Sequence, residues 1–264
     1  MMEKFLWSVL VSVIWVGGSA VGTAASAEDV EDGGGVARGD VEGVAVESGD
    51  PGASNREQAP SEGGQVSAPE IVSAEAWGAS PQPIPEERRH TPQFVTIHHA
   101  GTLWSAGGDA EAKARGLQAY GQNEKGWPDL PYHYLIAPDG TIYAGRPVEY
   151  EPETNTSYEV RGHIGIQLWG NFEEQRVSLP QLRSTAHLTA WLLQQHGLDP
   201  ESVGGHLDRA ETACPGKDLY RYLEDGTFGQ WVAELRQGGS PEMALAPPLP
   251  DGPTEMIPDS GTED

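Results

Sequence analysis

The strongest constraint on the fold is an alternation, confined to residues 76–239, of short β-branched runs with amphipathic helical ones. Phe94-Val-Thr-Ile-His-His99 is half apolar and rich in branched residues, which suits a central strand. Tyr132–Ala137 and Thr141–Ala144 flank Pro138-Asp139-Gly140, a hairpin closed on an Asp-Gly turn. Ile164–Trp169 and Val203–His206 read as two further strands. Three helices fall between and after them. Ala110–Tyr120 places Leu117 and Tyr120 on one face, and Leu179–His196 opens on a Ser178/Gln181 capping box and closes at Gly197. The stripe of that second helix is Leu182, Ala186, Ala190 and Leu193. Phe228, Trp231, Val232 and Leu235 mark the third at helical spacing. The pattern predicts an α/β fold: a single domain over 76–238, with a mixed central sheet of about five strands flanked by three helices.

The flanks read differently. Formal net charge is −24, of which residues 28–75 contribute −10 with nine Gly and no aromatic, and residues 240–264 a further −6. Such composition buries too little apolar surface to offset the ordering entropy, so 28–75 is expected to be a disordered acidic linker and 239–264 a disordered, Pro-rich acidic tail. Residues 1–27 carry Lys4, an apolar run over Phe5–Val16 and Ala25-Ser26-Ala27, the pattern of a signal peptide. The expectation is an exported chain, periplasmic or extracellular, with no stable membrane insertion once the signal is removed. The acidic balance excludes a nucleic-acid footprint, since too few cations are available to neutralise phosphates. The single cysteine excludes an internal disulfide framework.

That cysteine, in an exported chain, calls for a role. It lies in Gly205-His-Leu-Asp-Arg-Ala-Glu-Thr-Ala-Cys-Pro-Gly216, eight positions after His206. His98 and His99 end the first strand, and neighbours on a strand face opposite ways, so one of the two can join a given site. Two imidazoles, one thiolate and an open fourth position make a catalytic-type zinc site. Spacing alone leaves the alternative of ordinary histidines and a buried structural cysteine.

Six blocks, in order, resemble the N-acetylmuramoyl-L-alanine amidase type 2 family, which includes peptidoglycan recognition proteins and phage lysozyme-type amidases. They are Trp77-Gly-Ala79, Val95–Thr102, Gly126–Tyr134, Asp139–Arg146, Ile164–Phe172 and Gly205–Gly216. The resemblance covers about residues 77–223, nearly the whole expected domain. It implies a zinc hydrolase that cuts the amide between the lactyl group of N-acetylmuramic acid and L-alanine. It places the zinc ligands on His98, His206 and Cys214, and the catalytic tyrosine on Tyr132, which Pro131 precedes where the family has Gly. The position six after the second histidine, Lys or Thr in active relatives, is Thr212. Its hydroxyl supplies no charge but is able to hydrogen-bond an oxyanion.

The resemblance also implies peptidoglycan or muropeptides as the partner. Gly126, Trp127 and Arg146 match positions that accompany binding of meso-diaminopimelate stems. Diaminopimelate adds one carboxylate to lysine, and a guanidinium grips a carboxylate bidentately. The chain is expected to be a monomer. His99 and His133 are expected to face away from the site. His90, His187 and His196 are expected on the surface, and Asp208 either orients a ligand or is a surface carboxylate. Two other functions fit the same sequence: a recognition module that binds muropeptides without cutting them, and a wall-docked surface protein whose acidic arms do the work.

Overall fold

The computed structural model describes residues 64–258. The segment read as a signal, residues 28–63 of the linker and residues 259–264 lie outside the described residues. Strand β2 (Phe94–His99) forms over the run that its β-branched residues predict, and β5 (His163–Leu168) pairs with it in parallel, from Phe94 opposite His163 to His99 opposite Leu168. The expected hairpin is present as β3 (Tyr134–Ile136) and β4 (Ile142–Ala144), the one antiparallel pair of the sheet. With β1 (Ile71–Val72) and β6 (Val203–Gly205), the order is β1-β4-β3-β5-β2-β6. β2 and β5 therefore occupy the interior of a six-stranded mixed sheet. The chain leaves the carboxyl end of β2 at His98 and His99, which is where a twisted parallel sheet opens a crevice.

Four helices pack on this sheet. α1 (Ala110–Tyr120) starts on Asp109, whose side chain accepts from the Ala112 N–H. Its buried face is Ala110, Ala114 and Gln118, with the expected Leu117 half-buried against the core beside them, whereas the expected Tyr120 is exposed. Small alanines let the helix approach closely, and Gln118 is tolerated inside because it donates to Asp129 at 2.7 Å and accepts from the Ser80 N–H at 2.8 Å. α2 (Leu179–His196) carries the predicted capping box and ends on Gly197 in the left-handed region, and its four stripe residues are fully buried. α3 (Lys217–Glu224) was not expected. It has eight residues, half of them charged, with only Leu219 and Tyr222 as large apolar groups in the core. α4 (Thr227–Arg236) buries Phe228, Trp231 and Val232 and packs on α2.

The domain is wider than 76–238, a correction at both edges. Val66 is buried, with its N–H on Gln194 Oε1 at 2.9 Å, and Ile71–Val72 form the edge strand against Ile142 and Tyr143. At the other end Met243 and Ile257 are buried, and the backbone of Arg176 exchanges hydrogen bonds with Glu255 (2.7 Å) and Ile257 (3.1 Å). A handful of anchors suffices to order these stretches. Their averaged composition, dominated by acids, Gly and Pro, conceals that.

Candidate metal centre and its cleft

His98 reaches the sheet's carboxyl edge because β2 ends there, and alternation aims its ring to one face and that of His99 to the other. His206 follows β6 directly, at the start of a short 3-10 turn (His206–Asp208). The third arm is the loop to α3. Gly216 there has φ +87°, and a Cβ on it would sit 2.6 Å from the carbonyl carbon of Phe172, so the close turn behind Cys214 admits glycine only.

The three side chains converge. Their ligand-capable atoms lie within 4.8 Å of one another, the one such group of three found among the described residues. The rings of His98 and His206 are 4.5 Å apart, and His98 Nδ1 is 3.6 Å from Cys214 Sγ. Nitrogen and sulfur bound to one tetrahedral zinc at ~2.1 and ~2.3 Å stand about 3.6 Å apart. Burial, then the neighbouring imidazoles, holds His98 well below the ordinary histidine range, and burial lowers His206 as well. Both rings thus keep lone pairs at neutral pH. Burial pushes the Cys214 thiol up to about 12, against the opposing hydrogen bond from the His99 N–H at 3.3 Å. A thiol so placed loses its proton when a cation replaces it. Two neutral imidazoles and a displaceable thiol proton fit zinc.

Around this cluster lies an open cleft with room of about 180 Å³, bounded by Tyr132, Trp127, Thr212 and the 153–156 segment. The ring of Tyr132 is 5.0 Å from that of His98, and burial raises its phenol far above the ordinary value, so it remains a proton donor. Thr212 Oγ1 accepts from the Cys214 N–H at 3.2 Å, which leaves its own proton free to donate. His99 turns its ring away and accepts from the Phe172 N–H at 3.2 Å. His133 likewise lies behind, between the Gly165 N–H and the Tyr150 carbonyl, at 2.9 Å from each.

Three residues are placed otherwise than expected. Arg146 does not face the cleft: its side chain is 0% exposed, and its guanidinium is spent on Glu153 and on the carbonyls of Leu130, Asp129 and Glu151. Gly126 ends the turn after α1 and lies outside the cleft lining, which Trp127 alone of that trio reaches. His90 is half-buried rather than solvated, bonded through its two nitrogens to the Val148 carbonyl and the Gly162 N–H. Asp208 holds the Gly205 N–H (2.7 Å) and the Tyr220 hydroxyl (2.5 Å), so it shapes the turn and does not touch a ligand ring.

Sequence reasoning missed Glu153, Thr154, Asn155 and Thr156, all of which line the cleft. They lie in the 18-residue connection between β4 and β5, which has no regular structure. Its length was the available signal, because long structureless connections inside compact domains are commonly functional.

Comparison with known proteins agrees with this architecture. Residues 88–217 match the family model described as N-acetylmuramoyl-L-alanine amidase. Peptidoglycan recognition protein 1 of Mus musculus is 31% identical over 156 residues, spanning 58% of this chain and 86% of the mouse protein. The crystal structure of Drosophila peptidoglycan recognition protein SD superposes with a TM-score of 0.53 at 27% identity, over 59% of this chain and 93% of that one. A mutant of Drosophila PGRP-LB, solved in complex with tracheal cytotoxin, gives 0.52 at 25% identity, over 58% and 92%. Among the described residues no helix is long and apolar enough to cross a membrane. With its sheet order, its cleft and these matches taken together, the chain belongs to the N-acetylmuramoyl-L-alanine amidase type 2 family, that of the peptidoglycan recognition proteins.

Proposed function

We propose that the protein is a zinc-dependent N-acetylmuramoyl-L-alanine amidase, cutting peptidoglycan between the lactyl group of N-acetylmuramic acid and L-alanine. One observation carries the reading: the donor atoms of His98, His206 and Cys214 converge within 4.8 Å on the floor of an open cleft. A bound zinc ion supplies Lewis acidity, which polarises an amide carbonyl and acidifies water. The remaining work falls to the chain. His98 and His206 stay neutral because they are buried. Tyr132 and Thr212 each hold a donor proton at the cleft wall, aimed at the oxygen that gains charge as the carbonyl carbon becomes tetrahedral. Trp127 gives the stem peptide an apolar wall.

The preference for diaminopimelate expected from Gly126, Trp127 and Arg146 now depends on an exchange. Arg146 must release Glu153 before it can hold a ligand carboxylate, and its enclosure opposes that. Export, through cleavage after residue 27, belongs to the same proposal and is checked by N-terminal sequencing of the mature chain.

The test uses the purified full chain: zinc content, and release of stem peptides bearing a free L-alanine amino group from diaminopimelate-type and lysine-type peptidoglycan. His206→Ala and Cys214→Ser should lose both zinc and cleavage. Undiminished cleavage by either variant overturns the assignment. The relatives' name and the tracheal cytotoxin complex favour a second reading, recognition without cleavage. Saturable muropeptide binding with no release of stem peptide by the zinc-loaded chain would establish that one instead.

A further inference from the structure

The cleft wall between β4 and β5 makes one contact that nothing above uses. Thr156 Oγ1 lies 2.7 Å from His206 Nε2 and 2.8 Å from Thr154 Oγ1, and the Thr156 N–H donates to that same Thr154 oxygen at 3.1 Å. We propose that Thr156 is the positioning residue for His206: its oxygen accepts the Nε2 proton of the imidazole, which leaves Nδ1 as the lone pair offered to the metal. The inference rests on the zinc-site reading and deepens it. A hydroxyl has a single proton. The proposal assigns that proton to Thr154 Oγ1; Thr156 then presents only lone pairs to the ring, and the ring carries its proton on Nε2. Partners of this kind fix the tautomer and the ring orientation of metal-binding histidines. Asp208, the residue nearest in sequence with such chemistry, is already committed to Gly205 and Tyr220.

The wall that holds Thr156 is itself fastened from beneath. The Glu153 carboxylate pairs with both Arg88 and Arg146, and the Glu153 N–H donates to the Pro131 carbonyl at 3.2 Å. Arg146 also donates to the Glu151 carbonyl at 2.7 Å, and Arg88 to that of Pro152 at 3.2 Å. A segment without helix or strand is thereby set to within hydrogen-bond reach of a ring on the far side of the cleft.

Thr156→Val keeps the shape and removes the acceptor, and Thr156→Ser keeps the acceptor. Zinc affinity of the full chain is measured by competition with a chromophoric chelator. The valine variant should bind about 10- to 100-fold more weakly, and the serine variant close to wild type. Long-range 1H–15N spectra of the metal-free wild type read the His206 tautomer directly, without any variant, and should show Nε2–H. Wild-type zinc affinity in Thr156→Val, failure of serine to restore it, or an Nδ1–H tautomer in the wild type each overturns the proposal. A wild-type chain that binds no zinc overturns the metalloenzyme reading, and the metal-free tautomer still decides the role of Thr156.

Discussion

Replacing Arg146 with Met removes a fully enclosed guanidinium while keeping most of its aliphatic volume. The lost contacts are the ion pair with Glu153 at 3.3 Å and the hydrogen bonds to the carbonyls of Leu130 (3.2 Å), Glu151 (2.7 Å) and Asp129 (3.3 Å). Taking one partner from a buried pair costs ~3–5 kcal/mol. Glu153 retains Arg88, whose side chain is partly exposed, so the carboxylate is not orphaned and the low end applies, about 3 kcal/mol. For a domain of this size that is a fall in melting temperature of roughly 6–12 °C. Thermal unfolding of Arg146→Met, followed by circular dichroism, measures it. A double-mutant cycle with Glu153→Gln isolates the pair. The competing account has the guanidinium free to grip a diaminopimelate carboxylate. A variant that melts within about 1 °C of wild type, yet loses its preference for diaminopimelate stems, would show that account correct and ours wrong.

Three other perturbations test separate parts of the structure. Burial first, then the Arg146 charge, holds His133 down at about 3, while an unfolded histidine titrates near 6.5. The unfolded chain therefore takes up a proton that the native state refuses, and this share of stability is complete above about pH 6.5 and declines as pH falls towards 3. Between pH 7.5 and 5 the wild type should lose about 2 kcal/mol more than His133→Gln in urea unfolding, and parallel profiles would refute it. Removing residues 240–264 strips buried Met243 and Ile257 from the core, and should cost about 4 kcal/mol at ~2 kcal/mol per side chain; an unchanged urea midpoint would restore the disordered tail. Tyr132→Phe should keep zinc and lower kcat about 10²- to 10³-fold, and a variant as fast as wild type would remove the phenol from the chemistry.

The sequence was legible where side chains act through period or through a fixed backbone requirement. β2, α1 and α2 begin and end where branching, capping and glycine put them, because those signals are local. Metal chemistry restricts residue type severely, which brought the His98-His99 pair, His206 and Cys214 forward as candidates, and the family resemblance chose His98 between the two neighbours. Arg146 is ambiguous for a related reason: a guanidinium fits a carboxylate whether it belongs to a ligand or to the chain's own Glu153, and the fold places Glu153 within reach. Thr156 was invisible, since a threonine in an aperiodic polar stretch differs from its neighbours only by what lies opposite. β1 and the 243–257 segment were hidden by averaging, their few anchors being diluted among acids, Gly and Pro.

The segment beyond residue 240 bears on the metal centre as well as on stability. Arg176 and Arg221 flank the fully buried Asp218 at 3.5 and 3.1 Å, and both guanidiniums donate to the Ala246 carbonyl. Asp218 also accepts from the Val177 N–H at 2.9 Å, and its own N–H donates to the Phe172 carbonyl at 3.1 Å. One buried charge cluster thus ties the C-terminal segment, the start of α3 and the approach to α2 to a single point. From there the segment returns to lay Ile257 against Gly170 and Phe172, so closely that a Cβ on Gly170 would meet the isoleucine at 2.8 Å. Phe172 is the residue whose backbone leaves room for Gly216 and whose N–H fixes the ring of His99. His99 in turn gives its N–H to Cys214 Sγ. The acidic tail therefore braces the cysteine arm of the centre through Phe172, as Arg146 and Glu153 brace the histidine arm through Thr156. Of the three ligands, His98 stands on strand β2, while the arms of Cys214 and His206 lead back to charge clusters, the one at Asp218 and the other at Glu153, Arg88 and Arg146.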